Sequence, residues 1–178
     1  RSSAASDVYK RQMAYYTNDY PDLVNSPEEF VYYVPTNDIQ TTYYDRDYAN
    51  GYEADLILDP SAWDNSSYYM VFMCGDDKIV HIQTDCDNDR RLVIFKDSYG
   101  NALVPCLTSS FSEIYVCDMR YFNLNAIDFI QEEAKATDVL FCMNLFSANG
   151  PNGQDLEVVR TQNAAYDTSS WEDADTEF

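Results

Sequence analysis

The chain has 178 residues, 46% of them apolar, which suits one domain with a single buried core. Lys and Arg together number 11 against 31 Asp and Glu, and the formal net charge of −20 repels phosphate backbones and anionic lipid, so nucleic-acid binding is not expected. No apolar run approaches the ~18–20 residues that span a bilayer, and no signal peptide stands at the N-terminus.

In chain order, Ser2 to Gln12 reads SSAASDVYKRQ. Back-translated, this stretch matches the read-1 adapter of transposon-based sequencing libraries. Residues 1–12 are therefore read as an adapter-derived artefact, with natural sequence from about Met13, and the chain is expected to be an N-terminally truncated fragment. Residues 13–66 form a Tyr- and Asp-rich region in which Phe30–Val34 and Glu53–Leu58 are short strand candidates, stopped by Pro35 and Pro60. Tyr68–Met73 and Lys78–Thr84 flank the turn cluster Gly75-Asp76-Asp77 and predict a hairpin. Cys74 and Cys86 flank that hairpin and can meet if its register allows. With 5 cysteines no complete set of pairs is possible, and Cys117 and Cys142 read as small buried hydrophobes. No Cys/His ligand spacing occurs, and neither a metal nor a cofactor is expected.

From Arg91 the pattern alternates. Arg91–Phe95, Glu113–Cys117 and Asp138–Met143 are continuous apolar strands; Tyr99–Ser109 and Leu124–Ala136 are helical stretches, the second with Ile127, Ile130 and Ala134 on one stripe. Strands of this kind separated by helices predict an α/β fold with a parallel sheet, over 67–150, beside a β-rich irregular N-terminal region. Residues 151–178 read as an acidic, disordered tail.

Ligands of parallel sheets sit at the carboxyl ends of the strands. Standing there are Lys96-Asp97-Ser98, Asp118-Met119-Arg120 and Asn144. A strand running into Asp97-Ser98 and then a helix would put the Ser98 hydroxyl where free N–H groups and the helix dipole favour an oxyanion. Asp97 or Ser98 serving only as a helix cap is the competing reading.

The run Leu92–Pro105, with Glu113–Phe122 and Thr137–Asn144, resembles the bacterial DHHW family, which looks like a branch of the SGNH/GDSL hydrolase superfamily related to the alginate O-acetylation proteins. Lys96-Asp97-Ser98-Tyr99 stands where that superfamily carries Gly-Asp-Ser, with Lys96 in place of Gly. Cys74 occupies a position where the resemblance leads one to expect glycine.

The resemblance implies a three-layer, SGNH-hydrolase-like (flavodoxin-like) sheet, incomplete here. It makes Ser98 a nucleophile and Asn144 either an oxyanion-hole donor or a cap. Arg120 either clamps an acyl or carboxylate group or pairs with Asp118 or Asp97. Tyr99, Asn101 and Tyr121 are candidate substrate contacts, Tyr121 packing in the competing reading. The Asp-His-His-Trp segment that names the family is missing. The only histidine, His81, lies mid-strand and reads as a packing or surface residue.

The expectation is thus a fragment of an extracytoplasmic bacterial esterase or O-acetyltransferase acting on acylated carbohydrate, with a membrane anchor possible upstream. Without its base it would be inert, since losing that group from a triad removes ~10⁴–10⁶ of the rate. The alternative is a non-catalytic, carbohydrate-associated surface protein of the same fold.

Overall fold

The computed structural model describes residues 31–59 and 68–149. Its strands are β1 (Ile39–Tyr44), β2 (Tyr52–Glu53), β3 (Ile79–Thr84), β4 (Arg91–Lys96), β5 (Glu113–Asp118) and β6 (Asp138–Cys142). They make one open sheet in the order β2-β1-β3-β5-β4-β6. β4 lies between β5 and β6 and is parallel to both, while β1–β2, β1–β3 and β3–β5 are antiparallel. The fold is mixed α/β with few helices, and its sheet is mixed rather than wholly parallel.

Alternation along the central strands divides the core in two. Leu92 and Ile94 of β4, with Ile114 and Val116 of β5, face one cluster completed by Leu56, Met73, Val104 and Phe111. Val93 and Phe95, with Tyr115 and Cys117, face the other, covered by Ala126, Phe129 and Ala134. Strands buried on both faces cannot alternate in polarity, hence the continuous apolar runs.

Several expected elements take other forms. The expected hairpin is absent. Tyr68–Val71 is a 3-10 turn, Phe72 bridges Ile57, and β3 pairs with β1 and β5 instead. Residues 31–34 form no strand; Val31, Tyr33 and Val34 are exposed, and only Tyr32 packs, against Val71 and Phe72. Of Glu53–Leu58 only Glu53 joins the sheet, as the second residue of β2, because the chain then turns to bury Leu56, held by the Tyr43 hydroxyl donating to the Asp55 carbonyl at 2.8 Å. β1 had no counterpart in the sequence reading; its inward residues are Thr41 and Tyr43.

Tyr99–Ser109 is not an α-helix. Two 3-10 turns, Ser98–Gly100 and Val104–Leu107, replace it. Its backbone bonds all span three residues, among them Gly100 N–H to Asp97 O at 2.9 Å and Cys106 N–H to Leu103 O at 3.0 Å. Pro105, which has no N–H, is accommodated near the start of the second turn.

Helix α1 (Ala126–Asp128) is capped by the Asn125 side chain and runs on into a π-helical turn, Phe129–Glu133, closed by Ala134 N–H on Phe129 O at 2.9 Å. The wide turn rotates the buried stripe to Ala126, Phe129 and Ala134, leaving Ile127 exposed. Helix α2 (Leu145–Asn149) follows β6. Beside the β6 edge, Val139, Phe141, Leu145 and Phe146 are exposed.

All 5 cysteines are free, so Cys74 and Cys86 are not joined. The readings of residues 1–12 as adapter-derived and of 151–178 as a disordered tail fall outside the described residues.

Met73, Cys74 and Gly75 have φ of 61°, 56° and 130°, a tight left-handed reversal into β3. Glycine tolerates this region, whereas an L side chain there costs ~1–2 kcal/mol. Cys74→Gly relieves that strain at an exposed site and gives back part of the gain through unfolded-state entropy. It should raise unfolding stability by about 0.5–1 kcal/mol, read as a higher urea midpoint at constant m-value.

Candidate functional site

The carboxyl ends of β4, β5 and β6 lie side by side, so residues 96–101, 118–121 and 142–147 share one rim. Lys96 is the last residue of β4 and pairs in register with Asp118 of β5. Its side chain is only 2% exposed. Burying an unpaired ammonium costs several kcal/mol, and here two carboxylates receive it. Lys96 Nζ lies 2.8 Å from Asp76 Oδ1 and 3.1 Å from Asp118 Oδ2. Arg120 folds back over the same pair: Nε reaches Asp118 Oδ1 at 2.9 Å, and Nη2 reaches Asp118 Oδ2 at 2.8 Å and Asp76 Oδ2 at 2.9 Å. Asn101 Nδ2 donates to Asp76 Oδ1 at 2.9 Å. The cluster is neutral, two cations against two anions. Asn101 Oδ1 is the buried side-chain acceptor left without a partner among the described residues.

The network favours the ionised forms of Asp76 and Arg120. Burial works to raise the Asp76 carboxyl, but the Lys96 charge and the hydrogen bonds from Lys96 and Asn101 outweigh it and leave Asp76 below the usual carboxylate range. Hydrogen bonding to Asp118 binds the Arg120 proton more firmly than usual.

Asp97 does different work. It is 6% exposed. Its Oδ1 accepts from Tyr99 N–H at 3.0 Å. Its Oδ2 accepts from Asn144 N–H at 2.8 Å and Asn144 Nδ2 at 2.6 Å. One carboxylate thus ties the turn after β4 to the chain leaving β6. Asn144 Nδ2 also donates to Ser147 Oγ at 2.8 Å, and Asn144 Oδ1 accepts from Phe146 and Ser147 N–H at 2.8 and 3.0 Å. Asn144 therefore caps α2, with both amide hydrogens engaged.

Ser98 begins the first 3-10 turn and is half-buried. Its carbonyl accepts the Tyr69 hydroxyl at 2.7 Å. Among the described residues neither its Oγ nor its N–H has a hydrogen-bond partner. A three-residue turn carries too few aligned peptides for an appreciable dipole, so the helix-dipole support expected at Ser98 is absent. Gly100 passes close beside Lys96: a Cβ on it would lie 2.7 Å from Lys96 Cβ.

The remaining candidates occupy the same rim. Tyr99 is 52% exposed. The Arg46 guanidinium lies 4.7 Å from the Tyr121 ring centroid and that of Arg120 5.3 Å from it, docking the loop after β1 against the end of β5. Asn101 and Arg120 meet through Asp76, and Ser98 is linked to Asn144 through its neighbour Asp97. His81 is not drawn in. It stacks on Tyr115 with ring centroids 4.2 Å apart, and its Nε2 lies 2.9 Å from Glu113 Oε2. The sequence reading did not include Asp76 or Tyr69. Asp76 stood in a turn cluster, and nothing local marks Tyr69.

These motifs can be set against known proteins. The family model described as "DHHW protein" matches residues 4–117, beginning inside the stretch read as adapter-derived. The chain belongs to the DHHW family. It is similar to the crystal structure of a DHHW family protein from Eubacterium siraeum DSM 15702, with 46% identity and a TM-score of 0.69 over 75% of this chain and 44% of that one. Bacillus cereus PatB1 with a sulfonyl adduct is 24% identical, with a TM-score of 0.58 over 70% of this chain and 44% of that one. A second PatB1 structure is 26% identical, with a TM-score of 0.56 over 67% and 40%. No curated protein matches. This DHHW chain thus spans less than half the length of the solved structures it matches.

Two expectations follow from the network. Lys96→Met removes the buried cation and leaves Asp76 and Asp118 sharing Arg120. Breaking a buried pair in this way should cost about 3–5 kcal/mol in urea unfolding. A loss below about 1 kcal/mol would show that the pair is not buried in solution. The second concerns pH. The folded Asp76 carboxyl lies below its unfolded value, so its contribution is complete above about pH 4 and is lost as pH falls through the folded value. Asp76→Asn should flatten the acid limb of a stability-versus-pH curve.

Proposed function

We propose that this DHHW chain carries the serine-bearing part of an SGNH-type acyl-transfer site, in an extracytoplasmic esterase or O-acetyltransferase acting on acylated carbohydrate. One observation carries the reading. On a rim where neighbouring polar groups are hydrogen-bonded, Ser98 keeps both its hydroxyl and its N–H uncommitted among the described residues. The parallel arrangement of β4, β5 and β6, with Ser98 at their carboxyl ends, and the likeness in fold to PatB1 support it.

In this chemistry Ser98 Oγ bonds to the acyl carbon as its proton passes to a base, and the tetrahedral intermediate expels the sugar alkoxide. The Ser98 N–H is the nearest oxyanion donor. Arg120, whose Nη1 meets no carboxylate among the described residues, supports the acyl oxygen or a substrate carboxylate. For Asn144 to reach an oxyanion it must release Ser147 Oγ. Tyr99 and Tyr121 are the substrate contacts; Asn101, also expected to be one, is 3% exposed and donates to Asp76, which makes it part of the buried network instead. Water or a second sugar then takes the acyl group. No helix among the described residues is long and apolar enough to cross a membrane, and a membrane anchor belongs to the proposal, not to the fold.

The single histidine of the chain is paired with Glu113, so an imidazole base for Ser98 must come from elsewhere. That pairing favours the second reading, a carbohydrate-associated surface protein that keeps the fold without catalysis. The two separate by trapping. Phenylmethanesulfonyl fluoride transfers its sulfonyl group to an activated serine with loss of fluoride. Intact-mass labelling of the 178-residue chain should be slow, rise roughly tenfold or more with added imidazole, and vanish in Ser98→Ala. A folded chain that stays unlabelled in imidazole would sink the nucleophile reading.

A further inference from the structure

The turn after Ser98 contains an interrupted hydrogen bond. In an α-helix starting at Ser98, Ala102 N–H would donate to Ser98 O, four residues back. Instead Ala102 N–H donates to the Tyr69 hydroxyl at 3.4 Å, and the same hydroxyl donates to Ser98 O at 2.7 Å. The phenol oxygen thus sits inside the bond that would close the helix. An inserted polar group is a known cause of local departure from the α-helical ladder. Around it the backbone takes the tighter pattern, with Asn101 N–H on Ser98 O at 3.3 Å and Leu103 N–H on Gly100 O at 3.0 Å.

We propose that Tyr69 is a positioning residue for Ser98: its hydroxyl wedges open the first turn after β4, holds it 3-10, and so sets the direction of the Ser98 Oγ and N–H. The ring is fixed for this task. It meets Phe72 edge-on with centroids 5.4 Å apart and packs against the buried pair Val71 and Phe72, as Ala102 also does. Burial raises its phenol above the ordinary value, so the hydroxyl remains a donor across the working pH range. The opposite side of the turn is held by Asp97 accepting Tyr99 N–H. Ser98 is therefore gripped through backbone atoms on either side, with its side chain left out of the grip. The link spans 29 residues of sequence.

The role in reactivity rests on the Ser98 reading above; the wedge itself does not. Tyr69→Phe deletes one oxygen and keeps the packing. Ala102 N–H should then close on Ser98 O, seen by NMR as amide exchange slowed roughly tenfold and Cα shifts over 98–102 moving toward helical values. Phenylmethanesulfonyl fluoride labelling with imidazole should fall about tenfold or more, since small misplacements of a reacting group are costly. Phe129→Leu, in the separate core cluster with Tyr115 and Ala126, is the control: it should lower Tm and leave the labelling rate unchanged.

Wild-type-like labelling in a folded Tyr69→Phe chain overturns the positioning role. If wild type itself does not label, the nucleophile reading fails alone, and unchanged Ala102 exchange and shifts then overturn the wedge. Should Tyr69→Phe not fold, the wild-type chain decides. A slowly exchanging phenol proton with a through-space contact to the Ala102 amide supports the wedge, and its absence overturns it.

Discussion

Lys96 carries a full charge to a place where water barely reaches it, and the rim of the sheet is organised around that requirement. An ammonium at 2% exposure stays folded only if carboxylates meet it. Asp118 lies beside it because β4 and β5 are parallel and in register. Asp76 comes from the loop before β3 and draws that loop onto the end of β4. Two carboxylates facing one cation would leave a buried negative charge, and Arg120 balances it by folding back over both. The Lys96 side chain itself leaves no room for a Cβ on Gly100, which would lie 2.7 Å from Lys96 Cβ. The spacing from Lys96 to Gly100 is thus a steric statement as well as an electrostatic one, and Ser98 lies between its two ends.

Legibility followed the range over which each signal acts. Strands β4 and β5 could be read because fully buried strands declare themselves residue by residue; Arg91–Lys96 is apolar in four consecutive positions, each 0–2% exposed. β1 escaped because its inward positions are Thr41 and Tyr43, good strand formers that do not read as a core. The stretch Tyr99–Ser109 has helical spacing in its apolar residues and still forms 3-10 turns, because the oxygen that splits its first helical bond arrives from Tyr69. No window centred on Ser98 contains that information. The stripe expected on Leu124–Ala136 was displaced for a local reason, an extra residue in the turn closed by Ala134 on Phe129.

The rim shows the same division. An Asp118–Arg120 pair could be anticipated from two residues on one strand end, whereas the arrival of Asp76 depends on how two loops fold together. Asn144 was weighed as a cap or as an oxyanion donor. Its geometry is that of a cap for α2 and a clamp on Asp97, with the amide engaged in both. Family membership reaches further than local spacing, because a family pattern carries tertiary constraints that a single stretch of sequence does not.

This geometry changes where the chemistry proposed for Ser98 would draw its strength. A long helix beginning there would supply aligned peptide dipoles and several free N–H groups to a developing oxyanion. A three-residue turn supplies neither, and two of its amides are already committed: Tyr99 N–H to Asp97 Oδ1 and Gly100 N–H to Asp97 O. Lys96, the nearest fixed cation in sequence, is neutralised by its own carboxylates. What the turn provides is a hydroxyl and one N–H held in a defined direction by groups that do not themselves touch the reacting atoms. In the site proposed above, charge stabilisation and proton transfer would be supplied by other groups at the rim, and the turn would contribute the accuracy with which Ser98 is presented to them.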